Sequence, residues 1–168
     1  MNVEKEIRIM HACELGAVGV YRGHKCVARY FFRRNLEELD NMRFHEKDHA
    51  SIFKGILHDL GGRTCYAHKL FFIGGLFYGV LVGLLGVRAI GVSTYTIESI
   101  VNDEFDVALT KLEQEKELSK RIKEIQLEEL EHRDSGKDLA GSNYFLEGAV
   151  ARVARMGAYT AKHLAAVL

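Results

Sequence analysis

Four glutamates stand inside apolar stripes, where a carboxylate is out of place. Glu14 lies in the stripe Ile7, Met10, Ala17, Val18, Tyr21. Glu46 lies between Met42 and Ala50, Glu98 lies between Thr94 and Val101, and Glu129 continues the stripe Ile122, Ile125. A bare carboxylate facing a core is costly unless it is paired, protonated or bound to a metal. One such acid is commonly a satisfied structural residue, but one on each of four helices asks for a shared cause. Two of the four begin a Glu-x-x-His: Glu46-Lys47-Asp48-His49 and Glu129-Leu130-Glu131-His132. Three residues is nearly one helical turn, so Glu and His project from the same face. Carboxylate and imidazole ligands suit iron or manganese. Two such ions could activate dioxygen, oxidise ferrous iron or dismutate peroxide, and the ligand set alone does not choose among these.

The spacing sharpens the pattern. Glu14 precedes Glu46 by 32 residues, and Glu98 precedes Glu129 by 31. The chain therefore reads as two helical hairpins carrying equivalent ligands. A Glu from each of two helices plus a Glu-x-x-His from each of two others is the ligand set of ferritin-like di-iron or di-manganese carboxylate proteins. The expected metal ligands are Glu14, Glu46, His49, Glu98, Glu129 and His132. His11, His24, His58, His68 and His163 lack such support and read as surface or core residues. His45, beside Glu46, points off the metal face. Glu128 and Glu131 belong to the solvated face. Asp103 and Asp134 are candidates for orienting the ligand imidazoles from behind.

The elements that must hold these residues are helices. The chain has 168 residues, no Pro, 48 % hydrophobic and 27 % charged residues. It is long enough for one cored domain, expected over residues 1–168, and its composition excludes a disordered or collagen-like chain. Helices are expected at 4–34, 36–60, 89–112, 114–135 and 143–166, with Gly61-Gly62 ending the second and Gly136 or Gly141 the fourth. No segment alternates like a strand. The 18 residues Leu70–Val87 carry no charge. They read as a buried hairpin or core helix, as a membrane-dipping segment, or as a short span, in that order. Gly75, Gly79 and Gly83 form a small-residue stripe along them, as suits a close helix contact, whether with lipid, a partner or a second copy. Lys and Arg total 23 and so do Asp and Glu, which argues against a nucleic-acid binder. Met1–Met10 mixes charged and apolar residues, unlike a signal or transit segment. Three cysteines without a CxxC read as buried small hydrophobes.

One resemblance is specific. Glu14-Leu15-Gly16-Ala17-Val18-Gly19-Val20-Tyr21-Arg22-Gly23 resembles the opening signature of the demethoxyubiquinone hydroxylases of ubiquinone biosynthesis. His45-Glu46-Lys47-Asp48-His49, Gly83-Leu84-Leu85-Gly86, Ile97-Glu98-Ser99-Ile100 and Glu128–Gly136 resemble that family's later motifs, in order. The resemblance implies an all-α, ferritin-like four-helix bundle with additional apolar and C-terminal helices. It implies a di-iron monooxygenase that hydroxylates the ring of a polyprenylated demethoxyubiquinone-type precursor with dioxygen and an external reductant. The same six ligands carry over, with Glu46 and Glu98 as bridging acids. Two iron ions per chain are expected, in preference to manganese, with electrons from NADH or a redox partner. Residues 70–87 would contact the membrane that holds the prenylated substrate. The expected location is peripheral on the cytoplasmic face of a bacterial inner membrane, or on the mitochondrial inner membrane if a leader was removed. Assembly as a homo-oligomer or with other ubiquinone-biosynthesis proteins would fit, and nucleic acid would not. The chain departs from the family where Glu104 and Phe105 stand in place of a His-Tyr pair, in Gly62-Arg63-Thr64 after the second helix, and in the uncharged end Ala165–Leu168. The competing readings are a soluble ferritin-like iron oxidase or peroxide-consuming di-metal protein, and a non-enzymatic helical scaffold.

Overall fold

The computed structural model describes residues 3–112 and 114–168, so the first two residues of the Met1–Met10 reading lie outside it. Six α-helices account for most of these residues, and no strand occurs among them. They are α1 Val3–Phe31, α2 Leu36–Asp59, α3 His68–Leu84, α4 Val87–Lys111, α5 Lys116–Ala140 and α6 Glu147–Val167. A single 3₁₀ turn, Arg33–Asn35, joins α1 to α2. The helix expected at 114–135 runs on through Gly136, because Gly136 is buried against Thr94 and Tyr95 of α4 where a side chain would not fit. It ends at Gly141, whose φ of +62° is open to glycine at little cost.

Two apolar clusters show how the helices run. One gathers Ile7, Phe53, Phe105 and Ile122 from α1, α2, α4 and α5. The other gathers Tyr21, Leu39 and Ile90 from α1, α2 and α4, with Ala140 of α5 packed against it. Residue numbers rise from the first cluster to the second along α1 and α5, and fall along α2 and α4. The four helices thus pair as two antiparallel hairpins, with apolar plugs at both ends and the six expected ligands at intermediate positions.

α3 is the crossover that carries the chain back between the hairpins. It lies alongside α1 and runs in the same direction, since Gly16 approaches Phe71 and Gly23 approaches Val80. The glycine stripe is the contact. A Cβ on Gly75 would lie 2.0 Å from the Gly16 carbonyl oxygen, and one on Gly79 2.1 Å from that of Val20. Its partner is therefore α1 of the same chain, not lipid or another subunit. The opposite face of α3 is solvent-exposed and apolar: Leu70, Phe77, Leu81 and Leu84 are each more than 60 % exposed. No described helix is long and apolar enough to cross a membrane, which corrects the reading of 70–87 as a span.

α6 packs on α1 and α4. It buries Val150, Ala154 and Ala165 and leaves Val153 and Tyr159 exposed. The cysteines also differ from expectation: Cys65 is buried, Cys13 half-buried and Cys26 exposed.

Candidate metal centre

The six expected ligands meet in one buried layer. α1 contributes Glu14, α2 Glu46 and His49, α4 Glu98, and α5 Glu129 and His132, and none is more than 5 % exposed. They form two groups in which every donor atom lies within 4.8 Å of the others: Glu14, Glu46, His49 and Glu129; and Glu46, Glu98, Glu129 and His132. The groups share Glu46 and Glu129, one from each Glu-x-x-His. Glu98 falls in only one of them, so the geometry does not fit the expected pairing of Glu46 with Glu98 as bridges. Glu14 and Glu98 each belong to one group only.

The distances define an inside and an outside. His49 Nδ1 lies 2.8 Å from Glu129 Oε1 and 3.9 Å from Glu14 Oε2. His132 Nδ1 lies 3.0 Å from Glu129 Oε2 and 3.2 Å from Glu46 Oε1. Despite these short separations, Glu46 Oε1, His49 Nδ1 and Glu129 Oε1 make no aligned hydrogen bond. Three buried polar atoms aimed at one another without partners are costly. Four carboxylates compound the cost. Burial, then the neighbouring acids, pushes Glu14, Glu46 and Glu98 well above the usual carboxylate range. Burial also opposes charge on Glu129, but the hydrogen bond with His132 and the close approach of the His49 ring outweigh it and hold Glu129 down at about 2. His49 is pushed up to about 9 by Glu129 and Glu14 in spite of its burial. A cluster of oxygen and nitrogen acceptors with orphaned atoms and too little positive charge fits a pair of hard to borderline divalent cations.

Other residues complete the site, and periodicity alone did not mark them out. Tyr21, two turns after Glu14 on α1, donates its hydroxyl proton to Glu98 Oε1 at 2.7 Å. Burial, then Glu98, pushes that phenol well above its usual range, so it stays a donor. The signal was present, since Tyr21 shares the stripe of Glu14, but a stripe residue reads first as packing. Glu128, expected on the solvated face, lies with its Oε2 2.9 Å from His49 Nε2. His45, expected off the metal face, lies with its Nδ1 3.0 Å from His132 Nε2. Asp103 is exposed, and Asp134 is exposed and paired with Arg133, so neither touches a ligand imidazole. Of the unsupported histidines, His58 and His163 are exposed, His68 is half-buried, and His11 and His24 are buried.

The layer opens into apolar space. A cavity of about 610 Å³ is lined by Glu14, Glu46 and Glu98 and runs between α1, α3, α4 and α6 to the exposed residues Leu70, Gly74 and Met156. Its few other polar groups include Glu104 and Lys162, which are hydrogen-bonded to each other, and Cys13. Burial, with Glu14 nearby, pushes the Cys13 thiol up to about 12, which keeps it protonated and unreactive.

Comparison with known proteins places the chain in a family. Residues 1–165 match the family model described as "Ubiquinone biosynthesis protein COQ7". The chain is 28 % identical over 141 residues to a mitochondrial protein of Dictyostelium discoideum named NADPH-dependent 3-demethoxyubiquinone 3-hydroxylase. It is 29 % and 30 % identical to proteins of Polynucleobacter necessarius and Rhodospirillum rubrum named 3-demethoxyubiquinol 3-hydroxylase. These matches cover 80–82 % of the chain but only 63–65 % of the relatives' own length. A family match over nearly every residue, with the two Glu-x-x-His helices inside it, establishes that the chain belongs to the COQ7 family of ubiquinone biosynthesis proteins.

Proposed function

We propose that the chain is a di-iron monooxygenase of a ferritin-like bundle that hydroxylates the ring of a polyprenylated demethoxyubiquinone-type precursor. The observation that carries this reading is a buried carboxylate–histidine layer that opens into an apolar cavity of about 610 Å³. Glu14, Glu46, His49 and Glu129 would hold one ion, and Glu46, Glu98, Glu129 and His132 the other, with Glu46 and Glu129 bridging. When bound, two reduced iron ions supply the electrons and open positions that dioxygen cleavage needs. Replacing a ring hydrogen by hydroxyl in this way consumes one dioxygen, two electrons and two protons and releases one water. An external reductant supplies the electrons. The names of several relatives point to NADPH.

The chain's own residues do the rest. Glu14, Glu46 and Glu98 form the polar end of the cavity, so a planar ring entering it meets the reacting centre first. Phe71, Val20 and Ala154 wall the passage and exclude water. Tyr21 holds Glu98 by its hydroxyl and fixes the direction of its free oxygen. The isoprenoid tail would extend past Leu70 and Met156 towards the exposed apolar face of α3. That face would lie against the bilayer from which the substrate comes. An iron oxidase or peroxide-consuming enzyme has no use for such a passage.

A quinone-deficient strain lacking its own hydroxylase provides the test. Expression of the chain restores ubiquinone in the lipid extract, and Glu98→Ala abolishes the rescue while the protein accumulates. An unchanged quinone profile with accumulated wild-type protein would overturn the assignment.

A further inference from the structure

We infer that His45 and Glu128 are positioning residues that fix the ligand imidazoles from outside the centre, each reaching from one hairpin to the histidine of the other. The inference rests on the metal reading above. Both imidazoles turn Nδ1 inward, to within 3.2 Å of a ligand carboxylate oxygen. Both turn Nε2 outward. His49 Nε2 of α2 meets Glu128 Oε2 of α5 at 2.9 Å, and His132 Nε2 of α5 meets His45 Nδ1 of α2 at 3.0 Å. The His45 and His132 rings lie 17° from parallel with their centroids 5.2 Å apart, an arrangement into which an in-plane N–H···N bond fits.

Chemistry sets the protons. An imidazole that binds a cation through Nδ1 must carry its proton on Nε2. His49 Nε2–H then donates to the Glu128 carboxylate, and His132 Nε2–H donates to His45 Nδ1. His45 in turn keeps its own proton on Nε2. One set of tautomers satisfies both bonds and leaves both Nδ1 atoms free for metal.

The arrangement is also symmetric in sequence. His45 immediately precedes Glu46, and Glu128 immediately precedes Glu129. The working unit is thus one residue longer than Glu-x-x-His, and its first residue serves the opposite helix. The side chains are 37 % and 47 % exposed, as expected of groups that close the layer on the side away from the apolar cavity. A solvated face does not require either contact. The two acceptors differ in kind. A carboxylate behind His49 raises that ligand's basicity more than a neutral imidazole behind His132, so the ion on the His49 side is bound more tightly.

Cobalt(II) titration of the metal-free full chain, followed by proton NMR, tests this. The wild type gives two exchangeable, hyperfine-shifted imidazole N–H signals, and that of His49 rises first. Glu128→Ala removes the His49 signal by exchange with water and weakens binding on that side roughly 10–100-fold. Glu128→Gln, which keeps an acceptor oxygen, retains the signal. His45→Ala removes the other signal and His45→Asn retains it. Alanine variants that keep both signals and the wild-type affinities would overturn the inference and leave the metal reading intact. A folded wild type that takes up no cobalt would overturn both.

Discussion

Glu46 and Glu129 belong to both ligand groups, whereas Glu14 and Glu98 each belong to one. Loss of a shared ligand should therefore cost both ions, and loss of a flanking ligand only one. Elemental analysis of iron-loaded Glu129→Ala is expected to find almost no iron, and that of Glu14→Ala about half the wild-type content. Equal iron in the two variants would contradict the shared-ligand geometry. Without metal the same acids are a burden, since each is buried among like charges. Glu14→Gln removes the buried ionisable group and keeps the shape. The metal-free variant is expected to be more stable than metal-free wild type by about 1–3 kcal/mol, read from denaturant midpoints. His24 is a burden of another kind. It is fully buried with both ring nitrogens unpartnered, and burial lowers its pKa from 6.5 to about 3. The unfolded chain takes up a proton below pH 6.5 and the folded chain does not, so stability falls as pH drops from 6.5 towards 3. His24→Leu should remove this loss. Its advantage over wild type is expected to grow by about 1.4 kcal/mol per pH unit below 6.5, and a constant difference would contradict the assignment. The buried cluster of Glu14, Glu46, His49, Glu98, Glu129 and His132 was legible in the sequence because a carboxylate in an apolar stripe violates a rule that one helix suffices to state. Tyr21, His45 and Glu128 were not, because their partners lie 77, 87 and 79 residues away on other helices, and periodicity says nothing about what crosses between helices.

The α1–α3 contact decides where the crossover lies. α3 approaches so closely that only hydrogen fits at Gly75, while Gly74, its neighbour on the outer face, has no atom within 4 Å. Gly75→Ala should then separate the helices and destabilise the chain by more than about 2 kcal/mol. Gly74→Ala should be neutral or stabilise by up to about 1 kcal/mol through helix propensity. Thermal unfolding of the pair checks this, and similar midpoints would contradict the packing. The stripe itself was readable from the sequence, but its partner was not. Small residues state that something approaches, and α1 carries its own Gly16, Gly19 and Gly23 in positions that only the fold matches to α3. Helix limits show the same division. Absence of Pro and the apolar periodicity foretold five of the six helices and left residues 70–87 open between a buried hairpin or core helix, a membrane-dipping segment and a span. The extension of α5 through Gly136 depended on α4, against which that glycine is buried.

At the scale of the molecule the zero net charge is an average over unlike surfaces. Leu70, Phe77, Leu81 and Leu84 expose one apolar face, at the mouth of the cavity and beyond, while α5 carries the charges. An exposed apolar patch of this size marks a contact, and a bilayer is the contact that the proposed substrate demands. Phe77→Asp with Leu81→Asp is expected to abolish co-sedimentation with lipid vesicles and to leave the bound iron unchanged. Wild-type sedimentation by the double variant would contradict membrane docking through α3. The uncharged run was visible in the sequence, but not that one face of it is occupied by α1 and the other free. The central claim is that the buried layer inserts oxygen into a quinone precursor delivered through the cavity. Its most direct measurement is a single reaction of the iron-loaded chain with a prenylated demethoxyquinone, reduced nicotinamide and isotopically heavy dioxygen, followed by mass spectrometry of the extracted lipid. The account predicts a hydroxylated ring that carries one heavy oxygen from dioxygen and none from heavy water, and no such product from Glu98→Ala. Iron oxidation without any labelled quinone would contradict it.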